Sequence, residues 1–278
     1  MKAYISMIST DDFMIGALAL YESLQKTNPK YPFYLLITEK VSEECEEKLK
    51  KYGINVLRDN DPLIKNITKT GDRWDNTFDK LKIFKLTQFD KVIFLDSDMA
   101  IIENLDHLFK RNHFSAVPNR EKQEWLGDKK YFSSCILVIK PSLEEYKEIK
   151  KYINPTIEQF LNKGEKCGDQ NVLNKYYINW PEKNELHISD TYNIFWDLIH
   201  DYFFFENYTI MPQNNKIQIN AIHFTGAKKP WQSPLIYFIR TIGLPVKNLH
   251  RFPSLKVIKF LLSYYKILVS VKQKIKSM

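Results

Sequence analysis

At 278 residues, with 44% hydrophobic and 14% aromatic side chains, the chain can bury a substantial core and is too apolar to be disordered. Its net charge of +8 hides a polarity, because all 33 acidic residues lie at or before Glu206 while 12 of the 41 lysines and arginines follow it. The first 206 residues therefore carry −4 and the remainder +12, which points to an anionic partner for the C-terminal part, either membrane or nucleic acid.

In chain order, residues 3–9 read as a strand and 14–27 as a helix with apolar positions at helical spacing. A second strand follows at 33–38, then an amphipathic helix from Ser42 to Tyr52 with Ser42 as its cap, then a short strand at Asn55–Leu57. Polar residues 59–77 read as a long loop, and loops of that length are often functional. A helix over 79–88 leads into a strand ending at Leu95, and a further strand at 132–139 is stopped by Lys140-Pro141 before a helix over 142–152. Strands alternating with helices predict an α/β fold with a mostly parallel sheet, whose ligands bind beyond the carboxyl ends of the strands. No internal repeat or low-complexity stretch is present. Three cysteines, Cys45, Cys135 and Cys167, leave one over in any disulfide scheme, so a reducing compartment is expected. No uncharged run reaches transmembrane length, and the opening residues lack the features of a secretory leader.

The most informative run is Lys91-Val92-Ile93-Phe94-Leu95-Asp96-Ser97-Asp98-Met99. An apolar strand stops at two carboxylates one residue apart, where their side chains can converge on a divalent cation that also grips phosphate oxygens. The same pattern occurs in surface turns as a solvated pair. Imidazole suits Mn(II), and His223, between an apolar run and Gly226, Lys228 and Lys229, is the attractive third ligand. A histidine in that setting is also a common structural residue. Asp11 and Asp12 have a competing role as caps of the helix starting near Phe13, Lys80 as a solvated lysine, Phe13 as core, and Gly168-Asp169-Gln170 as a turn with a helix cap.

Five segments in order, ISTDDFMIGALALYESL, TFDKLKIFKLTQFDKVIFLDSDMAI, YFSSCILVIKPS, CGDQNVLN and IHFTGAKKPW, span about residues 3–231. Together they resemble glycosyltransferase family 8, the group containing glycogenin and bacterial lipopolysaccharide glucosyl- and galactosyltransferases. The resemblance implies a GT-A type nucleotide-binding fold over residues 1–232, with a nucleotide-binding half to about 115 and an acceptor half from 116. It assigns Asp96, Asp98 and His223 to Mn(II), with Mg(II) as the alternative, holding the diphosphate of a UDP-sugar. Thr10, Asp11 and Asp12 match the loop that reads uracil and ribose, Phe13 stands where a tyrosine usually stacks on uracil, and Ser97 lies by the ribose. Lys80 matches a basic residue near the phosphates, Gly226 a point of close approach, and Lys229 a phosphate contact. Asp169 and Gln170 match the residues facing the donor sugar, in a reaction that retains anomeric configuration. In YFSSC, where the family usually shows Phe-Asn-Ser-Gly, Ser133 replaces an amide and Cys135 a glycine, with Ser134 between them. Glucose and galactose are the expected donors, and a glycan or glycolipid the expected acceptor, in bacterial surface polysaccharide or lipopolysaccharide synthesis.

In residues 254–274 the polar positions Lys256, Lys259, Ser263, Lys266, Ser270 and Gln273 form one narrow helical stripe amid aliphatics and aromatics. With Tyr237, Phe252, Tyr264 and Tyr265, this basic amphipathic tail over 233–278 reads as lying on an anionic membrane surface, which would place the protein in the cytoplasm, peripheral to the membrane's inner face. The competing reading docks its apolar face on the catalytic body or a second subunit. Nucleic-acid binding is not expected, because the basic residues sit among bulky aliphatics instead of an Arg-rich solvated face. An inactive sugar-nucleotide-binding relative is the other alternative, and the oligomeric state is not legible.

Overall fold

The structure, a computed structural model, describes residues 1–61, 63, 73–119, 131–205, 207–247 and 254–278. Most of the expected loop at 59–77, and Phe252 of the tail, lie outside them.

Four parallel strands build the first half of a six-stranded sheet: β1 (Lys2–Ile8), β2 (Phe33–Thr38), β3 (Asn55–Asp59) and β4 (Lys91–Leu95). Beyond β4 the chain makes the short β5 (Met99–Ile101), then β6 (Ser115–Pro118) and β7 (Phe132–Ile139). β7 pairs antiparallel with both β4 and β6, giving the order β3-β2-β1-β4-β7-β6. The period of two along these strands feeds two cores. Tyr4, Leu35, Ile37, Ile93, Leu95 and Val138 face one cluster, and Ala3, Ile5, Leu36, Val92, Phe94 and Leu137 the other. Burial on both faces explains why the strands read as near-continuous apolar runs.

Helix α1 (Met14–Gln25) follows β1, and α2 (Glu43–Lys51) follows β2. Ser42 caps α2 as expected, its hydroxyl accepting from the Cys45 N–H at 3.1 Å. The helix expected over 79–88 is instead a 3-10 helix at Arg73–Lys85. Its buried Phe78, Leu81 and Phe84 recur every three residues, the repeat of that tighter helix. Past β7 come α3 (Leu143–Lys151), α4 (Ile153–Leu161) and α5 (Asp169–Tyr176).

The chain then returns to the Asp96–Asp98 turn. β8 (Ile194–Phe195), the small pair β9 (Tyr208–Thr209) and β10 (Ile217–Gln218), and β11 (Ala221–His223) surround helix α6 (Ile199–Phe205). β11 runs antiparallel to β5, with His223 against Met99, and parallel to β8.

The tail forms α7 (Pro234–Lys247) and α8 (Leu255–Lys276). Here the expectation of a lipid-facing apolar stripe changes. Val257, Leu261, Tyr264, Leu268 and Val271, at spacings of three and four, are buried on the body, and α8 packs along α1. Lys274 pairs with Glu22 of α1 at 2.7 Å, and Lys272 Nζ donates to the Trp231 carbonyl at 3.1 Å. Covering that apolar face with protein removes the same area from water as covering it with lipid would. Among the described residues, no helix is long and apolar enough to cross a membrane.

Candidate active site

β4 delivers the two carboxylates. Its last residue is Leu95, the Asp96 N–H donates to the Cys135 carbonyl at 2.9 Å, and the Met99 N–H closes the turn on the Asp96 carbonyl at 3.2 Å. The Phe224 N–H donates to the Asp98 carbonyl at 2.9 Å, so the chain carrying His223 is bonded to the turn itself. His223 Nε2 lies 3.1 Å from Asp98 Oδ1 and 3.9 Å from Asp96 Oδ2. One ligand atom from each of the three residues falls within 4.8 Å of the others. Two carboxylates and an imidazole at that separation are a donor set fitting Mn(II) or Mg(II), so these residues can hold such an ion.

Two buried lysines flank the set. Lys80, from the 3-10 helix, places Nζ 2.9 Å from Asp96 Oδ1, 3.1 Å from Asp169 Oδ2 and 3.1 Å from the Ser134 carbonyl. Lys229 Nζ lies 2.6 Å from Asp98 Oδ2 and 2.8 Å from the Phe224 carbonyl. Asp169 opens α5, where its N–H donates to Thr77 Oγ1 at 3.1 Å, and Gln170 Oε1 accepts from the Ser134 N–H at 3.2 Å.

The electrostatics divide the pair. Burial pushes the Asp96 carboxyl up, to about 6, with Lys80 opposing and the Asp98 charge reinforcing the rise. For Asp98 burial also pushes upward, but His223 and Lys229 outweigh it and hold the carboxyl well below its ordinary range. Burial pulls His223 down, and the Asp98 charge overrides it to raise the imidazole to about 10. Lys80 is likewise raised against its own burial by Asp169 and Asp96.

These groups line a cleft of about 760 Å³, in the range of small-molecule sites. Of the residues singled out in the sequence, Thr10, Asp12, Phe13, Lys80, Asp96, Ser97, Asp98, Ser133, Ser134, Asp169, Gln170, His223 and Lys229 all reach it. Asp11 does not line it. Its carboxylate instead accepts from the Ser42 N–H at 2.9 Å and the Ser42 hydroxyl at 2.7 Å, tying the first loop to the start of α2. Gly226 also stands off the cleft wall, its bare Cα facing the Tyr237 hydroxyl and Asp197, so its close approach is to α7.

Three features around the cleft escaped the sequence. The Trp231 indole N–H donates to the Asp12 carbonyl at 3.1 Å, its ring meets Phe13 edge-on at 5.9 Å, and it packs over Gly16 so closely that a Cβ there would come within 2.4 Å. Asn193 bonds His223, and the Phe195 ring stands against the same imidazole at 5.9 Å. Gly16 inside an apolar helix was the available sign of a tight crossing, whereas Asn193 and Phe195 sit in irregular chain with no periodicity to mark them.

The model of glycosyl transferase family 8 matches residues 4–234. The chain belongs to that family. Among its relatives is the uncharacterized protein R707 of Acanthamoeba polyphaga mimivirus, 33% identical over 246 residues, which cover 82% of each chain. Glycogenin-1 of Caenorhabditis elegans is 28% identical over 236 residues, 83% of this chain and 51% of the worm protein. Mouse glycogenin-1 is also 28% identical, over 65% of its length, and this chain spans between 43% and 65% of the glycogenins it matches. The galactosyltransferase LgtC, solved with donor and acceptor sugar analogs, superposes with a TM-score of 0.64 at 15% identity over 97% of this chain and 96% of its own. The apo form of the glycosyltransferase GlyE of Streptococcus pneumoniae gives 0.58 at 18% identity over 99% and 64%. The fold is the GT-A type, and the protein is a family 8 glycosyltransferase.

Proposed function

We propose that this transferase moves a hexose, glucose or galactose, from a UDP-sugar to a glycan or glycolipid with retention of anomeric configuration, in surface polysaccharide or lipopolysaccharide synthesis. The observation carrying the reading is the meeting of Asp96, Asp98 and His223 ligand atoms within 4.8 Å on the wall of a cleft also lined by Asp169 and Gln170. Mn(II) bound there, or Mg(II), supplies Lewis-acid stabilisation of the charge building on the departing diphosphate.

The chain's own residues divide the remaining work. Phe13 offers a ring for uracil, Thr10 and Asp12 line its loop, and Ser97 faces the ribose. Lys229 has three N–H donors and gives two to Asp98 and the Phe224 carbonyl, so the third is available to a phosphate oxygen. Asp169 and Gln170 orient the sugar, with Ser133 and Ser134 reading its hydroxyls. The acceptor oxygen attacks the face from which the phosphate leaves. The bond from anomeric carbon to phosphate breaks as the bond to the acceptor forms, and the departing phosphate takes the acceptor's proton.

Thermal stability of the intact chain with UDP-glucose, UDP-galactose, UDP-N-acetylglucosamine and UDP-N-acetylgalactosamine, with and without Mn(II), tests this. A ligand present at 100 times its Kd adds about 2.7 kcal/mol. A metal-dependent shift with one hexose donor is expected. No shift with any of the four would overturn the reading.

For the tail we propose a weaker version of the membrane assignment. Although one face of α8 is buried, Leu255, Leu262 and Val269 are exposed on the same helix as the exposed Lys259 and Lys266. That outward face is suited to anionic lipid. Flotation with phosphatidylserine vesicles is expected to carry the intact chain and to be lost in Lys259→Glu/Lys266→Glu; equal flotation of both would refute it.

A further inference from the structure

His223 is held from behind. Its Nδ1 lies 2.9 Å from Oδ1 of Asn193, and both residues are buried, at 8% and 4% exposure. Asn193 is itself fixed: its N–H donates to the Asp190 carbonyl at 2.8 Å, and the next two residues form β8. β8 runs beside β11 with Ile194 against Ile222 and Phe195 against His223, so one short strand sets both the bond behind the imidazole and the ring beside it. An amide oxygen only accepts. The ring must therefore carry a hydrogen on Nδ1 toward Asn193, which leaves Nε2 as the nitrogen facing Asp98 and Asp96, 3.1 and 3.9 Å away.

We propose that Asn193 is a positioning residue for the divalent cation, holding the His223 ring and its tautomer so that Nε2 is delivered to the Asp96–Asp98 pair. This rests on the metal reading above. A partner on the far nitrogen of a metal-binding histidine fixes ring orientation and raises ligand basicity, and its loss typically costs 10–100-fold in metal affinity. Asn193 is buried and does not itself line the cleft.

The test uses the full chain and Mn(II) alone, without donor, with free Mn(II) followed by electron paramagnetic resonance. Asn193→Leu, close in volume but without an acceptor, should weaken Mn(II) binding by about 10–100-fold. Metal-free UDP binding should be unchanged. Asn193→Asp presents only oxygens to Nδ1 and should retain or tighten Mn(II) binding, a rescue that a merely space-filling role would not produce. Wild-type Mn(II) affinity in Asn193→Leu would overturn the proposal, as would equal weakening in Leu and Asp variants. Should Asn193→Leu fail to fold, Asn193→Ser shortens the reach and is read by the same criteria. If the unaltered protein takes up no Mn(II), the metal reading fails and carries this inference with it. Uptake by the unaltered protein and by Asn193→Leu alike would remove only Asn193.

Discussion

The two buried lysines of the cleft look equivalent in sequence and are not equivalent in space. Lys80 stands between two carboxylates and Ser134, within 2.9 Å of Asp96, 3.1 Å of Asp169 and 3.1 Å of the Ser134 carbonyl. Lys229 shares the single carboxylate of Asp98 with His223. One side of the site therefore holds two acids for one cation, and the other holds one acid for two basic groups. The first side favours an added positive charge and the second an added negative one, the polarity that a cation and a diphosphate require. It also makes Lys80 a strut joining β4 to α5, with Lys229 the better placed for phosphate.

The largest way to break this comparison is Asp98→Ala. It removes a ligand and leaves Lys229 and His223 facing each other without the acid between them. Metal-dependent transfer should fall by about 100-fold or more, since a bound metal contributes several kcal/mol to the transition state. Steady-state turnover in Mn(II) measures it, and retained turnover would take Asp98 out of the metal site. Next in size is Lys80→Met. Stranding Asp96 and Asp169 together should cost about 3–5 kcal/mol in urea unfolding of the metal-free protein. Lys229→Met should cost less, because Asp98 keeps His223; equal losses would erase the distinction drawn here.

Gly16→Ala sharpens the comparison by moving the wall behind the cleft while leaving every charge in place. The new methyl would meet the Trp231 ring at 2.4 Å and the Ser97 carbonyl at 2.9 Å. Overpacking of about 1–3 kcal/mol should outweigh the roughly 1 kcal/mol that alanine gains over glycine in a helix. A lower melting temperature with weaker UDP binding is the expected result. The smallest effect belongs to Glu22, at the far end of α1. Burial pushes its carboxyl up, but bonds from Lys274 and Tyr52 outweigh that and hold its pKa below the ordinary value. A lowered pKa adds stability above the unfolded value of 4.5, and that stability is lost as pH falls through the folded value. Glu22→Gln should thus flatten the acid limb of the stability profile by about 0.2–1 kcal/mol, seen in melting temperatures between pH 7 and about 3.

Most of the sheet was legible because β1, β2, β4 and β7 are buried on both faces and leave apolar runs bounded by polar chain. The Asp96–Asp98 turn was legible less from the two acids, a pattern that solvated surface turns also show, than from the four further segments that accompany it in order. The 3-10 helix was misread because residues 80–84 are all buried, which leaves no period to tell it from an α-helix. β8 and β11, at two and three residues, are too short for any alternation to register, so the strand that steadies His223 left no trace. The tail's pattern was read correctly as amphipathic, with Lys259, Ser263, Lys266, Ser270 and Gln273 outward, yet periodicity only says that a face is covered. What covers it depends on α1, more than two hundred residues away in sequence.

That contact makes α8 part of the wall behind the cleft rather than an appendage to it. The indole of Trp231 holds the Asp12 carbonyl and Phe13, and its own carbonyl is held by Lys272 near the end of α8. The Asp12–Phe13 loop is thus braced through Trp231 by a helix more than two hundred residues away in sequence. Without α8 the apolar side of α1 would be uncovered and the Asp12–Phe13 loop would lose its backing. A chain cut back to Trp231 or Pro245 should resemble a body with an open seam, and not a catalytic core relieved of an appendage.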